Sequence, residues 1–159
     1  MRLRQAGWQV SRRGQWQATE RMHADPTCGH VPAADIRTVW LGDTLGEMAM
    51  YYAMSQVAVL GGSFEPLGGQ NLIEAAACGC VVVAGPHTFN FVQATEQAIQ
   101  AQACVRVEDM AGAVKMSVVL VANEKGLKDR SKAAKAWIEN HRGAAVRTLV
   151  LLPHSPALQ

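Results

Sequence analysis

Between residues 61 and 74 runs Gly-Gly-Ser-Phe-Glu-Pro-Leu-Gly-Gly-Gln-Asn-Leu-Ile-Glu, a segment in which four glycines precede an amide and a carboxylate three residues apart. That spacing puts Asn71 and Glu74 on one face of a helix, near its start. A carboxylate there can accept hydrogen bonds from a sugar diol. The amide N–H groups of a first helical turn are unpaired and aligned with the dipole, so they suit an anion such as a phosphate. Gly61, Gly62, Gly68 and Gly69 permit backbone angles and close approaches that a Cβ would forbid. A plain structural reading covers part of this: Asn71 or Gln70 caps the helix, and Glu74 favours its positive end by ~0.3–1 kcal/mol. Capping explains one Asn and one Glu, but not glycines spread through the whole preceding loop.

Two further segments carry polar chemistry, Gly42-Asp43-Thr44-Leu45-Gly46-Glu47 and Gly85-Pro86-His87-Thr88-Phe89-Asn90-Phe91. Thr44 and Glu47 fit a capping box with Thr44 as N-cap. A capped turn of that kind can also offer the backbone of Leu45, Gly46 and Glu47 to a base or ribose. Glycine in a first helical turn costs ~0.5–1 kcal/mol relative to alanine, so Gly46 points to a close approach there. His87 can hydrogen-bond a phosphate or carboxylate at neutral pH, and Asn90 would cap a helix starting at Phe91.

The elements around these loops alternate. Residues 36–41, 56–60, 81–84 and 104–107 are short, apolar and rich in β-branched side chains, which reads as buried parallel strands. Helical patterns occupy 45–54, 71–78 and 91–101 between them. Such alternation predicts right-handed crossovers and an α/β fold: a Rossmann-like open parallel sheet with helices on both faces. Ligands in such sheets sit beyond the C-terminal ends of the strands, where all three polar loops begin. Residues 110–122, 125–141 and 144–152 read as terminal helices, with Leu127, Ala134 and Trp137 or Ile138 of the second as core candidates and Trp137 as a packing residue. Before residue 36 the pattern is uneven: a helix end at 1–6, a strand at 8–11 and a polar stretch over 12–34. That stretch exceeds the ~12–15 residues usual for a structureless loop inside a domain.

With 159 residues, 49% of them hydrophobic, the chain can enclose one core. A net charge of +2 is too mild to argue for nucleic acid. No apolar run approaches the ~18–20 residues that span a bilayer, and the N-terminus lacks the apolar stretch of a secretion signal, so a soluble cytoplasmic chain is expected. Cys28, Cys78, Cys80 and Cys104 show no C-x-x-C spacing and read as buried or incidental thiols. His23, Cys28 and His30 cluster in sequence but lack a fourth ligand, and no metal is assigned.

Taken in order, Gly42-Asp43-Thr44-Leu45-Gly46-Glu47-Met48, Gly61-Gly62-Ser63 with Gly68-Gly69-Gln70-Asn71-Leu72-Ile73-Glu74, and Gly85-Pro86-His87-Thr88-Phe89-Asn90-Phe91 resemble the C-terminal half of the 3-deoxy-D-manno-octulosonic acid (Kdo) transferases of lipopolysaccharide synthesis. The match is most specific over residues 36–107. It implies a truncated C-terminal domain of a GT-B fold, with residues 1–35 an irregular remnant of the preceding Rossmann half and residues 36–159 a nucleotide-sugar binding domain. Leu45, Gly46, Glu47, Asn71, Leu72, Ile73 and Glu74 would hold CMP, with Glu74 on the ribose hydroxyls. Gly61, Gly62, Ser63, Gly69, Gln70 and His87 are further candidate donor contacts. The resemblance implies CMP-Kdo as donor, a lipid A precursor as acceptor, no cofactor and no metal. It places the intact enzyme on the cytoplasmic side of the bacterial inner membrane, held there through a part with no counterpart here.

The family's catalytic carboxylate belongs to its N-terminal domain, so no catalytic residue is assigned in this chain and unaided transfer is not expected. Also without counterpart is the first part of the C-terminal domain, with its Pro-Arg-His-containing loop, and Val81 stands where the family more often has proline. In the strand order 3-2-1-4-5-6, residues 8–11 would form a third strand whose links to residues 36–41 are absent. That strand is expected to pack poorly, to find a new pairing, or to self-associate at an exposed sheet edge. Fast proteolysis is expected between Arg12 and Ala34. A domain of another nucleotide-sugar enzyme such as an epimerase, and a non-catalytic nucleotide-binding remnant, stand as alternatives.

Overall fold

The structure, a computed structural model, describes residues 2–15 and 37–141. The chain divides into two compact units, Met1–Met48 and Ala49–Gln159. The expected helix at 144–152, most of the polar stretch with its cleavage site, and the His23, Cys28, His30 cluster lie outside the described residues.

In the first unit a short helix α1 (Arg2–Gln5) leads into β1 (Gln9–Arg12) and a 3-10 turn at Arg13–Gln15. β1 pairs in parallel with β2 (Thr38–Leu41), with Gln9 opposite Thr38 and Arg12 opposite Leu41. Of the outcomes expected for the early strand, a new pairing is the one observed. An open strand edge takes whatever complementary edge is free. Polar ties fasten the C-terminal ends of this pair. The Gly14 N–H donates to Asp43 Oδ1 at 2.7 Å, and Arg12 Nε reaches Asp43 Oδ2 at 3.0 Å. Arg13 Nη2 lies 2.9 Å from Glu47 Oε1. The Gly14 amide, and then the Arg12 charge, hold the Asp43 carboxyl below its ordinary value of 3.8.

The expected continuous sheet is instead two hydrogen-bonded ladders, β1–β2 and, in the second unit, β3 (Val57–Leu60), β4 (Val81–Ala84) and β5 (Cys104–Arg106) in that order, all parallel. β4 is buried along its whole length, as a central parallel strand must be when helices cover both faces. Val82 and Ala84 join a cluster with Ala75 and Ala76 of α3 (Ile73–Ala77), Ala98 of α4 (Val92–Gln100), and Ala134, Trp137 and Ile138 of α6 (Glu124–His141). On the opposite face Val81 and Val83 meet Ala113 and Leu120 of α5 (Met110–Ala122), with Leu127 from the start of α6. Leu127, Ala134, Trp137 and Ile138 are all core residues, and Trp137 is packed as expected. The alanines let α3 lie close on the sheet, so enlarging Ala75 would cost ~1–3 kcal/mol through overpacking.

Helix starts follow local chemistry. α5 is capped by Asp109, whose carboxylate accepts from the Gly112 N–H at 2.6 Å. Asn123 does the same for α6 through the Gly126 N–H at 2.9 Å. Two expected caps are corrected. α2 (Met48–Ala53) starts three residues later than expected, so Thr44 is not its N-cap. Gly46 has φ +80°, which no helix accommodates, and a Cβ there would meet nothing. Its glycine therefore serves a left-handed turn and not a close approach within a helix. Asn90 does not cap α4 either: a 3-10 turn at Phe89–Phe91 precedes that helix, and the Asn90 amide donates to the Leu67 carbonyl at 3.3 Å.

Cys78, Cys80 and Cys104 are free thiols. Burial pushes the Cys104 thiol up to about 11, and also raises Cys80, whose Sγ points at the Tyr52 carbonyl 3.0 Å away. Among the described residues no helix is long and apolar enough to cross a membrane, and no cluster of His, Cys, Asp and Glu could hold a metal.

Candidate functional site

At the C-terminal ends of β3 and β4 the two loops singled out in the second unit lie against each other. Ser63 joins them. It is fully buried, its Oγ donates to the Leu60 carbonyl at 2.6 Å and accepts the Gly85 N–H at 2.7 Å, and its carbonyl accepts the His87 N–H at 3.0 Å. Farther out, the Asn90 N–H donates to the Gly68 carbonyl at 3.1 Å. Arg106, at the end of β5, donates to Thr88 Oγ1 of the second loop at 3.3 Å and pairs with Glu96 Oε1 of α4 at 2.8 Å.

This contact accounts for part of the glycine content. Gly68 and Gly69 have φ +90° and +85°, and a Cβ on Gly69 would stand 3.2 Å from the His87 carbonyl oxygen. Both are required by the loop contact itself. A Cβ on Gly62 would crowd the Gln70 side chain, whose Oε1 accepts the Gly62 N–H at 3.4 Å. Only at Gly61 would a Cβ meet nothing, at an angle any residue can adopt. Gly61 is thus the one glycine of this loop whose identity the loop packing does not require.

Asn71 and Glu74 are brought together as the spacing required: Asn71 Nδ2 donates to Glu74 Oε1 at 3.1 Å, and Asn71 Oδ1 accepts the Ile73 N–H at 3.0 Å. The helix begins at Ile73 and has five residues, so one of its first amides is already taken by Asn71 and few peptide dipoles align behind it. The chemistry on offer is the exposed Glu74 carboxylate, held in place by Asn71, more than the helix dipole. Leu72 is buried in the core and Ile73 is exposed. Tyr52, which sequence reading did not single out, stands nearby: burial, and then the Glu74 charge, raise its phenol above the ordinary range. A tyrosine inside a short helix carries no signal that would mark it.

Leu45, Gly46 and Glu47 belong to the first unit. Leu45 is fully exposed, while the Glu47 carboxylate accepts from Thr44 Oγ1 and Arg13. Ser63 is placed inside its loop, where its hydroxyl serves the fold. Gln70 is exposed and His87 half-buried.

A parallel sheet with helices on both faces and paired polar loops beyond the strand ends is the Rossmann-like architecture of nucleotide-binding α/β domains. No protein-family model matches the sequence. The chain is 52% identical over 111 residues, 70% of its length, to the 3-deoxy-D-manno-octulosonic acid transferase of Bordetella pertussis, and 35% identical over 115 residues to that of Haemophilus influenzae. It spans about a quarter of the length of these relatives, 26% and 27%. Among solved structures it matches the C-terminal CMP-Kdo binding domain of WaaA from Acinetobacter baumannii, with a TM-score of 0.69 and 25% identity, covering 86% of this chain and 64% of that one. By sequence and by fold the chain is a counterpart of the C-terminal part of the Kdo transferases.

Proposed function

We propose that this chain is the donor-binding part of a glycosyltransferase that moves Kdo from CMP-Kdo to a lipid A precursor. The match that carries the reading is the one to a solved domain whose description names CMP-Kdo binding, over 86% of this chain. In support, the polar groups of the second unit gather where ligands of open α/β sheets bind. Glu74, oriented by Asn71, takes the ribose hydroxyls. Gly61, Gly62, Gly69, Gln70 and His87 line the path of the phosphate and sugar. Transfer, acceptor binding and a place at the cytoplasmic face of the inner membrane are proposed for a full-length enzyme, and this chain alone contributes donor binding.

Calorimetry with CMP tests this. Hydrogen bonds to a charged group contribute ~1.5–3 kcal/mol, so Glu74→Ala should weaken CMP about 10- to 150-fold. Equal affinity in both proteins would remove Glu74 from the site. No measurable heat with the unmutated chain would refute donor binding by this chain.

A further inference from the structure

Arg106, the last residue of β5, reaches both the second loop and the helix that follows it. Its Nη2 donates to Thr88 Oγ1 at 3.3 Å and lies 2.8 Å from Glu96 Oε1, so the two contacts bracket the 3-10 turn at Phe89–Phe91. Thr88 is buried, and little water competes for its hydroxyl. The Thr88 backbone is also the surface on which the glycine-rich loop rests: a Cβ on Gly69 would stand 3.3 Å from Thr88 Cα and 3.2 Å from the His87 carbonyl oxygen. Gln70 follows Gly69 directly, and the Asn71–Glu74 pair comes next. Over residues 61–74, 85–91 and 106–109, which leave the three strand ends, Arg106 is the sole lysine or arginine. Its charge is already engaged by Glu96.

We propose that Arg106 is a positioning residue for the donor site. It sets where Thr88 stands and, through the contact of Thr88 with Gly69, where Gln70, Asn71 and Glu74 meet the nucleotide. The inference rests on the donor-binding reading and adds to it a residue that touches no ligand. A guanidinium suits the task because its hydrogen bonds are charge-assisted and fixed in direction. A strand end holds such a group more firmly than a loop does. The displacement carries across because packed atoms such as those of Thr88 and Gly69 leave little room to give.

Calorimetry with CMP tests the proposal. Thr88→Val keeps the shape of the side chain and removes the acceptor, whereas Thr88→Ser keeps the acceptor. Arg106→Ala and Thr88→Val should each weaken CMP about three- to tenfold, the size of one lost hydrogen bond, and Thr88→Ser should bind as the unmutated chain does. Combining Arg106→Ala with Thr88→Val should cost no more than either alone, since both remove the same contact. Without ligand, exchange of the Asn90 amide, which is bonded to the Gly68 carbonyl, should quicken in both single variants while β4 keeps its protection. General loss of stability would speed both. Additive losses in the double variant, an equal loss with Thr88→Ser, or an Asn90 amide that exchanges as before overturns the proposal. Weakening by Arg106→Ala but not by Thr88→Val also overturns it, making Arg106 a direct contact. No CMP uptake by the unmutated chain defeats this inference together with the donor-binding reading, whereas uptake indifferent to Arg106 and Thr88 defeats this inference alone.

Discussion

Replacing Ser63 by alanine removes a single oxygen, yet that oxygen holds the two site loops together. In the folded chain Ser63 Oγ gives its proton to the Leu60 carbonyl at 2.6 Å and receives the Gly85 N–H at 2.7 Å, with no solvent reaching the side chain. Alanine forfeits two hydrogen bonds of about 0.5–1.5 kcal/mol each. It also leaves the Gly85 amide without this acceptor, and an unsatisfied buried donor costs about 1–3 kcal/mol. The space of one hydroxyl is at the lower limit for a water molecule, so solvent does not replace the missing partner. Ser63→Ala should therefore destabilise the second unit by about 2–4 kcal/mol, a factor of roughly 30 to 1000 in its opening equilibrium. Amide exchange by mass spectrometry on peptides covering β4 reads that factor as lost protection. A Tyr52→Phe variant serves as a control for polar substitution near the site. If protection in β4 falls less than about threefold, the Ser63 bonds do not fasten the loops and the account of the glycine loop is wrong.

Cys104 gives a pH prediction. Its thiol is raised from 9.0 to about 11 in the fold, so the neutral form is favoured there. The stabilisation is complete below the unfolded value and is lost as pH rises through 9 to 11, by at most about 2–3 kcal/mol. Urea unfolding across that range should show the decline, and Cys104→Ala should flatten it; an unchanged slope would refute the burial argument. Asp43 behaves oppositely. Its folded value is depressed, so its ties to Gly14 and Arg12 contribute above 3.8 and fade as pH falls through the lower folded value. Protection of the Gly14 amide should drop with acid in that window and lose this dependence in Asp43→Asn, and equal profiles in the two proteins would show that the carboxylate is not the acceptor.

The alternation of apolar strands and helical segments settled most of the second unit before any coordinates. β4 and α5 have the bounds the pattern indicates, because a buried central strand and a long capped helix are set by local composition. The glycine-rich loop and the Pro86–His87 loop were also legible as neighbours, since both follow strands of one parallel sheet. The ends of short elements were not. α2 and α3 start three and two residues later than the pattern suggests, for the left-handed turn at Gly46 and the Asn71 hydrogen bond to Ile73 compete with helix there.

What the residues fixed by themselves was periodicity, chain order and the pairing of Asn71 with Glu74, all of which depend on near neighbours along the chain. What only the tertiary structure decided was which groups are spent on the fold. Ser63, a candidate donor contact in the sequence, proves to be the buried link between two loops. Gly68 and Gly69 read as room for a ligand and prove to make room for the Asn90 side chain and the His87–Thr88 backbone. Val114, Val118, Val119 and Val121 belong to an apolar helix, yet all four are exposed. Each of these depends on contacts between segments well separated along the chain, whose geometry sequence spacing does not encode.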